Sequence, residues 1–349
     1  MDSLLFVPIL VVGFAMSLGL TPLSRAIALR LGVVDKPNQR KIHRDHKPMM
    51  GGLAIFGGLA IALLLFSPPA YRVEFGAFLG GAALLAVVGL IDDRFQLGAR
   101  IRLVAQIIAG LIVIAVGIQI RLFNNPILDI PLTLFWIVAL VNALNFLDNM
   151  DGLTSGLSAI AAGWFTLIAF NEGLTLVSAL AAALAGSAVG FLIYNFNPAS
   201  IFMGDMGSMV LGFTLAVLGI KLEFGTQPLS VTWMVPILVL ALPIFDIHLV
   251  VITRILEGRS PGQAGKDHTS HRLMSLGLSQ RWTLFVLYGA CLFFGALGVL
   301  VSVLPPETAL ITGGIGLALL ATAFIFMMFI RRKYQLQSTV QTKNQEVKS

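Results

Sequence analysis

A series of long apolar runs, each the length of a bilayer's hydrocarbon core, constrains this chain more than any other feature. A transmembrane helix needs about 20 mainly apolar residues, and about eleven stretches meet that length. They lie at 4–24, 49–67, 74–91, 101–119, 130–147, 155–171, 174–193, 207–222, 231–253, 283–304 and 308–330. Charged residues make up only 11% of the chain, against about 25% in soluble domains. The sequence therefore predicts an all-α polytopic membrane protein with about eleven transmembrane helices.

The basic residues are distributed unevenly among the predicted loops. All but three of the 23 Lys and Arg residues fall in loops, or in the tail, on one predicted side; the exceptions are Arg72, Arg121 and Lys221. Cytoplasmic loops are enriched in Lys and Arg, so we predict an external N-terminus and a cytoplasmic C-terminus. The net charge of +6 then reflects topology, and we expect no nucleic-acid partner.

The predicted organisation is one transmembrane domain over residues 1–333, followed by a polar tail at 334–349 that we expect to be disordered. The single cysteine, Cys291, lies in an apolar run, which argues against a disulfide framework or a thiolate metal site. The glycine pairs Gly51-Gly52 and Gly57-Gly58 in the second run predict close helix packing.

The stretch NALNFLDNMDGL, residues 142–153, interrupts two apolar runs with regularly spaced polar residues. Asn142, Asn145, Asp148 and Asp151 are three apart, a spacing that keeps helical neighbours on one slowly rotating face. A polar ridge at the end of a membrane helix is costly unless it faces a cavity or a ligand. The alternative is a helix that runs out into water, where Asn and Asp form caps and turns.

Other polar stretches end apolar runs on the same predicted side. They are Asp92-Asp93, the link from Asn195 to Asp205, and the loop GKDHTSHRL; Asp246 lies inside the ninth run. Acids, amides and histidines gathered at one face predict a site on the cytoplasmic side.

The aspartates of these stretches would repel one another without a cation. Mg²⁺ suits them, because it prefers one or two carboxylates together with substrate phosphates and water. A solvated turn is the alternative for the Asp92-Asp93 pair. His268 and His271, with Arg272 beside them, suit phosphate contacts, whereas zinc is disfavoured because the chain has no nearby cysteine and no HExxH motif.

The motifs GVVDKPNQRKIHRDHKPMMGG, GLIDDRFQLGAR, NALNFLDNMDGL, FNPASIFMGDMGS and PIFDIHLVVITRILEGRSPGQAGKDHTSHRL resemble, in order, those of the polyprenyl-phosphate N-acetylhexosamine-1-phosphate transferases. The resemblance is closest to the bacterial undecaprenyl-phosphate N-acetylglucosamine-1-phosphate transferases. The related phospho-MurNAc-pentapeptide translocases match the histidine motif less well.

The resemblance implies a Mg²⁺-dependent enzyme, with Mn²⁺ as a substitute, in the bacterial inner membrane. It would transfer a sugar-1-phosphate from a UDP-sugar to undecaprenyl phosphate at the cytoplasmic face, releasing UMP and starting a cell-envelope glycan. The donor would be UDP-N-acetylglucosamine, and the resemblance leaves open another UDP-N-acetylhexosamine, UDP-MurNAc-pentapeptide and a homodimeric state.

The resemblance also implies roles for individual residues. Asp205 and Asp148 would bind the metal, Asp92 and Asp93 would act on the acceptor side, and Asp148 and Asp151 would serve the nucleotide-sugar side. Residues implied to bind substrate are Asn142, Asn145, Asn195 and Asp246, with His268, His271 and Arg272 at the diphosphate and Lys36, Arg40, Lys41 and His43 at the lipid phosphate. One departure bears on the donor: the related sequences often read HIHHRL, whereas this chain has Ser270 in place of one histidine.

Proton removal from the acceptor is a secondary need on physical grounds. A phosphate monoester has a second pKa of about 6 and is mostly dianionic at pH 7, and phosphoryl transfer depends mainly on positioning and charge neutralisation. Adjacent residues on a helix point about 100° apart. We therefore predict that Asp92 and Asp93 are not equivalent and that neither is primarily a base.

A transporter or flippase is the main rival class. It would place ionisable residues at the bilayer midplane on broken helices and would show internal repeats, and only Asp246 fits that description. A phosphatase or a CDP-alcohol transferase is a further rival, and the DGxxAR-type signature of the latter is missing.

Overall fold

The computed structural model describes residues 6–35, 47–66, 68–225, 227–263 and 265–346, with the backbone alone beyond Arg331. Helices dominate these residues. They are α1 (Phe6–Leu31), α2 (Gly51–Phe66), α3 (Arg72–Phe95), α4 (Ala99–Ile114), α5 (Pro126–Leu147), α6 (Leu153–Asn171), α7 (Thr175–Asn195), α8 (Gly204–Lys221), α9 (Leu229–Thr232), α10 (Met234–Val239), α11 (Ala241–Leu256), α12 (Thr269–Ser275), α13 (Gln280–Val303) and α14 (Pro306–Glu346). A short antiparallel ribbon pairs β1 (Val34–Asp35) with β2 (Lys47–Pro48).

The all-α membrane architecture is confirmed, because a helix lies at every predicted span. Within the described residues, eight helices are long and apolar enough to cross a membrane, and the pair Leu229–Val239 and Ala241–Leu256, bent by 77°, would make a ninth. The helices α2 and α4 have 16 residues each, so they are about 24 Å long, shorter than a hydrocarbon core of about 30 Å. The count of eleven spans and the orientation stay predictions.

The C-terminal helix α14 runs from Pro306 to Glu346. It therefore extends beyond residue 333, where the sequence predicts the start of a disordered tail. The division of the chain at that point stays a prediction.

Helices α7 and α8 form the centre of the bundle. In their most apolar windows 83% and 78% of residues are buried, against 22% in α1. The small residues of α7 allow this crowding: a Cβ atom on Gly186 would lie 2.1 Å from the Leu10 carbonyl oxygen, and one on Gly190 would lie 2.5 Å from that of Phe14. Such backbone approach is typical of membrane helices, where packing has to replace the hydrophobic effect.

Glycines also bring α2 and α3 against the N-terminus of α8. A Cβ atom on Gly52 would lie 2.3 Å from the Gly207 nitrogen, and one on Gly89 would lie 2.4 Å from the Met206 nitrogen. The close packing predicted for the glycine pairs of α2 is thus confirmed. Because Met206 follows Asp205, the contact at Gly89 places the Asp92-Asp93 pair near Asp205.

We expect Gly89→Ala to destabilise the protein by roughly 1–3 kcal/mol, because the new methyl group would overlap the α8 backbone. The matched control is Gly80→Ala on the same helix, where a Cβ atom meets nothing within 4 Å. Both variants are compared with the parent by thermal unfolding in detergent. Equal unfolding temperatures for Gly89→Ala and Gly80→Ala would show that this contact does not limit the packing of α3 on α8.

Candidate active site

Polar side chains from four helix ends meet at one end of the bundle. The contributing elements are the C-terminus of α3, the first turn of α4, the C-terminus of α5 and the first turn of α8. The sequence-predicted residues Asp92, Asp93, Asn145 and Asp205 are brought together there, and we call these four residues with Arg102 the carboxylate cluster.

Asp93 caps the N-terminus of α8. Its Oδ1 accepts a hydrogen bond from the Asp205 amide at 2.7 Å, and its Oδ2 accepts one from the Met206 amide at 3.4 Å. Gly204 precedes this turn with φ of +71°, and a Cβ atom there would lie 2.3 Å from Asp93 Oδ2. A carboxylate at a helix N-terminus is favoured both by the free amides and by the helix dipole. This bond fixes where α8 begins and hence where Asp205 lies.

Asp92 has different partners. It is buried, its Oδ1 accepts from the Leu97 amide at the end of α3, and its Oδ2 accepts from Arg102 at 3.0 Å. The same Arg102 nitrogen lies 3.5 Å from Asp205 Oδ2. The two adjacent aspartates therefore serve different contacts, in line with their angular separation on the helix.

Two side-chain amides of α5 bond to neighbouring helices, and one of them holds Asp205. Asn145 Nδ2 donates to Asp205 Oδ1 at 2.7 Å and lies 3.0 Å from the Ser208 hydroxyl. Asn142 Nδ2 donates to Gln106 Oε1 of α4 at 2.8 Å. These bonds explain how polar side chains are tolerated at the end of an apolar helix, since each has a protein partner.

The predicted helical ridge ends earlier than the spacing suggested. Helix α5 stops at Leu147, and Asp148 has φ of −76° and ψ of 57°, outside the helical region. Asp148 and Asp151 therefore lie in the turn before α6, because the DNMDG run favours a turn over another helical residue. Desolvation, aided by the charge of Asp205, raises the pKa of Asp148 to about 7.

Asp151 and Asn195 fasten the loop that leads into α8. Asp151 Oδ2 accepts from Asn197 Nδ2 at 3.2 Å and from the Ala199 amide at 2.9 Å. Asn195 is buried; its Oδ1 accepts from the Gly152 amide at 3.1 Å, and its Nδ2 donates to the Ile201 carbonyl at 3.0 Å. Both side chains hold this loop, and a direct role of either in catalysis or substrate binding stays a prediction.

Asp246 organises the histidine segment. Its Oδ1 accepts from the amide and the hydroxyl of Thr269, each at 2.7 Å, at the start of α12. Its Oδ2 lies 2.8 Å from His268 Nδ1. Because a carboxylate only accepts, this contact places the imidazole proton on Nδ1 and leaves Nε2 as the free ring nitrogen.

Ser270, at the position where the related motif has a histidine, is buried and donates to Asn149 Oδ1 at 2.6 Å. Asn149 lies between Asp148 and Asp151 in the turn after α5. The hydroxyl therefore joins the histidine segment to the acidic turn, a contact that the sequence did not reveal.

Arg272 bonds to three other segments of the protein. It is buried, and its three nitrogens donate to the Asp267 carbonyl at 2.9 Å, the Met327 carbonyl at 2.6 Å and the Thr253 hydroxyl at 2.6 Å. In this structure it ties α12 to α11 and α14, and its role at a diphosphate stays a prediction.

A buried ion network lies behind the histidine segment. The Asp267 carboxylate, 1% exposed, is within 3.0 Å of nitrogens of Arg254, Arg259 and Arg331. Glu257 pairs with Arg259 and with Arg331. Hydrogen bonds from Arg259 and Arg254 hold the pKa of Asp267 below its usual range despite its burial. These arginines, predicted only as markers of topology, thus fasten the loop after α11 to the last membrane helix.

His271 lines a small cavity together with basic side chains. A cavity of about 400 Å³ is lined by Lys266, His271, Arg272, Met274, Ser275, Ile330 and Arg331. Burial, with the nearby charges of His268 and Lys266, lowers the pKa of His271 to about 4. His271 is therefore neutral at pH 7 and can contact an anion only as a hydrogen-bond donor.

Lys36, Arg40, Lys41 and His43 lie outside the described residues. Sequence reasoning missed Arg102 and Gln106 as site residues, although both fall on one face of α4 at an i, i+4 spacing that could have indicated them. It also missed Asn149, which no spacing pattern distinguishes from a turn residue.

The carboxylate cluster fits Mg²⁺ by donor chemistry. No group of three or more His, Cys, Asp or Glu side chains converges on one point among the described residues. Mg²⁺ needs no such group, because it usually takes one or two carboxylates and completes its shell with phosphates and water. Asp92 and Asp205 come close enough to share one Arg102 nitrogen. The space between the two carboxylates therefore accommodates a positive charge.

Comparison with known proteins places these residues in a family. Residues 75–223, which include all the predicted aspartates except Asp246, match the profile of glycosyl transferase family 4. The chain is 37% identical over 278 residues to the probable undecaprenyl-phosphate N-acetylglucosaminyl 1-phosphate transferase of Bacillus subtilis, covering 77% of each chain. The chain belongs to glycosyl transferase family 4.

More distant relatives of this family 4 chain carry similar names. It is 32% identical over 332 residues to the decaprenyl-phosphate N-acetylglucosaminephosphotransferase of Mycolicibacterium smegmatis, covering 83% of this chain and 80% of that one. It is 26% identical over 298 residues to the undecaprenyl-phosphate alpha-N-acetylglucosaminyl 1-phosphate transferase of Escherichia coli K12, covering 79% and 78%. The resemblance drawn from the motifs is thus confirmed.

We expect Ser270→Ala to loosen α12, because it leaves the Asn149 oxygen without its donor. The free energy of unfolding should fall by about 1 kcal/mol, and amides of residues 269–275 should exchange hydrogen faster. The matched control is Ser302→Ala, whose hydroxyl donates only to the Val299 carbonyl of its own helix. Unchanged exchange in α12 of Ser270→Ala would contradict the link.

Proposed function

We propose that this protein transfers N-acetylglucosamine-1-phosphate from UDP-N-acetylglucosamine to a polyprenyl phosphate, most simply undecaprenyl phosphate, releasing UMP. The observation that carries the proposal is the carboxylate cluster within the family-matched segment, together with relatives whose names specify this transfer. The product would be the first lipid-linked intermediate of a bacterial cell-envelope glycan.

The carboxylate cluster places charged side chains where phosphoryl transfer needs them. In phosphoryl transfer the protein mainly holds the attacking and leaving oxygens in line and neutralises charge. Asp205 is half-buried, and it is held by Asn145 on one oxygen and faces Arg102 with the other. Asp93 fixes the helix that carries Asp205 and is itself occupied by two amides. Asp92 shares its Arg102 partner with Asp205, so we assign these two aspartates to the charged groups of the reaction, and Asp93 to positioning.

Mg²⁺ is the cofactor that we propose, with Asp205 and Asp92 as its protein ligands and Asp148 nearby. Bound there, the ion would neutralise the phosphate charge that the donor brings. Asp148 was predicted as a metal ligand, and the charge of Asp205 acts on it, so its carboxylate lies within electrostatic range of the proposed ion. Mn²⁺ offers the same oxygen preference and should substitute.

The histidine segment is the proposed site for the donor diphosphate. Asp246 holds His268 through Nδ1, so Nε2, which carries no proton in this tautomer, can accept a hydrogen bond from a hydroxyl or amide of the donor. Neutral His271 can donate one hydrogen bond, and Lys266 lines the adjoining cavity. The bond from Ser270 to Asn149 connects this segment with the acidic turn, which gives both halves of the donor site a common support.

We propose that the acceptor supplies its own nucleophile. A phosphate monoester is mostly dianionic at pH 7, and the amide-capping contacts of Asp93 leave it poorly placed to remove a proton. The carboxylates would thus hold charge and orientation, with proton removal secondary. The transporter alternative is weaker, because the polar residues collect at one end of the bundle instead of at its middle.

The cluster end of the bundle is proposed to face the cytoplasm, as the distribution of Lys and Arg indicates. UDP-sugars are made in the cytoplasm and do not cross bilayers, so this orientation gives the donor direct access. A multi-pass location in a bacterial plasma membrane follows.

The function is tested in sealed membrane vesicles of known sidedness that contain the full chain and undecaprenyl phosphate. We expect UMP release from external UDP-N-acetylglucosamine by inside-out vesicles and none by right-side-out vesicles. A donor panel with UDP-N-acetylgalactosamine and UDP-MurNAc-pentapeptide identifies the sugar. UMP release only with UDP-MurNAc-pentapeptide would reassign the donor, and its absence with every donor would refute the transferase proposal.

We expect excess EDTA to abolish UMP release, with recovery on adding Mg²⁺ or Mn²⁺. Asp205→Asn should lower turnover at least about 100-fold, because it removes charge that would be needed in the transition state. The matched control is Asp129→Asn, another aspartate buried in the bundle but at its opposite end, and both variants are checked for insertion and unfolding temperature. Full turnover in EDTA, or by Asp205→Asn, would remove the metal assignment.

A further inference from the structure

A large cavity lies at the opposite end of the bundle from the carboxylate cluster. It has a volume of about 820 Å³ and is formed where α4 ends, α5 begins, α8 ends and α9–α10 begin. Its walls include Leu122, Leu132, Ile220, Phe224 and Ile237. Leu132 and Trp136 of α5 line the cavity, and Asn145 lies about 14–20 Å further along the same helix, so the cavity does not contribute side chains to the phosphoryl-transfer site.

The cavity concentrates positive charge on a side of the protein that has very little. Only Arg72, Arg121 and Lys221 lie on that side of the predicted topology, and Arg121 and Lys221 both line the cavity. Lys221 has a carboxylate partner 3.7 Å away in Glu223, which is largely exposed and also lines the cavity. Arg121 forms no ion pair with any residue that the structure describes, so its guanidinium is available to an anion.

Two tryptophans of the cavity lining are held in place by hydrogen bonds. Trp136 and Trp233 line the cavity, and their indole nitrogens donate to the Ala216 and Ser230 carbonyls, each at 3.1 Å. Tryptophan is enriched at the level of lipid headgroups. Gly219 leaves room beside Trp136, because a Cβ atom there would lie 3.2 Å from the indole ring.

The loop that carries Arg121 is fixed by the protein. The Ile120 amide donates to the Thr133 hydroxyl at 3.0 Å, and the Phe123 amide donates to the buried Asp129 carboxylate at 2.9 Å. The Asn125 amide donates to the other oxygen of Asp129 at 3.0 Å. The arginine is therefore presented by a loop that is bonded on both sides of it, and binding would need little ordering of the backbone.

We propose that this cavity binds an anionic phospholipid, with the phosphate at Arg121 and Lys221 and the acyl chains along the apolar wall. Arginine suits a phosphate because its planar guanidinium can donate two parallel hydrogen bonds. A free soluble phosphate would leave the apolar wall uncovered, whereas a phospholipid satisfies both parts of the cavity. The lipid would join the ends of α4, α5, α8 and α10 at the surface opposite the carboxylate cluster.

The test uses brominated lipids, which quench the fluorescence of tryptophans that they touch. Trp136 and Trp233 are two of four tryptophans, so Trp164 and Trp282 are replaced by Phe to leave the cavity pair. The full chain is placed in phosphatidylcholine nanodiscs that contain a small fraction of brominated phosphatidylglycerol or of brominated phosphatidylcholine. We expect stronger quenching by the phosphatidylglycerol at equal fraction.

Arg121→Gln should lower the apparent affinity for phosphatidylglycerol about fivefold, the effect of one basic residue near a lipid surface. The matched control is Arg72→Gln, which removes a charge on the same predicted side but outside the cavity lining, and it should leave quenching unchanged. Native mass spectrometry of the chain with all four tryptophans provides a second measurement if the Phe replacements destabilise it. In that measurement the parent should retain phosphatidylglycerol better than Arg121→Gln.

Three results would overturn the proposal. Equal quenching by both lipids in the parent would show no anionic preference, and equal losses in Arg121→Gln and Arg72→Gln would show a diffuse charge effect. Soluble glycerophosphate is also added at a concentration similar to that of the brominated phosphatidylglycerol; if it displaced the lipid, the cavity would be a site for a free phosphate instead of a lipid.

Discussion

The bond from the Asp93 carboxylate to the first amides of α8 is the interaction on which the rest of the site depends. The first amides of a helix have no partner within that helix and need an acceptor from elsewhere. Asp93 satisfies two of them and, because it sits on α3, fastens one membrane helix to the start of another. The glycine at 89 allows the approach, and the glycine at 204 allows the turn. Once α8 begins there, Asp205 must lie beside Asp92, Arg102 and Asn145.

An aspartate also holds the start of a helix at the histidine segment. Asp246 accepts from the first residue of α12 and from His268, so one buried carboxylate both starts a helix and orients an imidazole. In each case an aspartate within a membrane helix receives backbone amides of another segment. Three aspartates that the sequence marked as chemical groups, Asp93, Asp151 and Asp246, therefore also hold the geometry. A substitution at any of them would alter both position and charge, and activity alone could not separate the two.

Some features could be predicted from the sequence because they follow from local patterns. The length of apolar runs predicts helices, and paired glycines in α2 predict close packing. The gathering of Asp92, Asp93, Asn145 and Asp205 followed from their places at the ends of predicted spans. Helix bounds were less predictable: the three-residue spacing suggested a continuous ridge, whereas the chain leaves the helix after Leu147. The helical period cannot show where a run of Asp, Asn and Gly changes to a turn.

Other features depended on partners far away in the chain. Arg272 looks like a phosphate ligand beside two histidines, yet its acceptors are a carbonyl of α14, a hydroxyl of α11 and the backbone of Asp267. No short motif encodes such an arrangement. The bond between Ser270 and Asn149 joins residues 121 positions apart, so it appears only after folding. The resemblance to a family supplied roles, and the structure adds the hydrogen-bond partners of the side chains that it describes.

The end of α14 has a consequence for how this chain tolerates changes in length. Arg331 reaches back to Asp267 and Glu257, and the carbonyl of Met327 accepts from Arg272. A chain cut before Arg331 would leave the buried Asp267 and the half-buried Glu257 with fewer counter-charges, next to the histidine segment. Unpaired buried charge is strongly destabilising. The last helix is therefore needed at least as far as Arg331 to hold the loop before α12 in place.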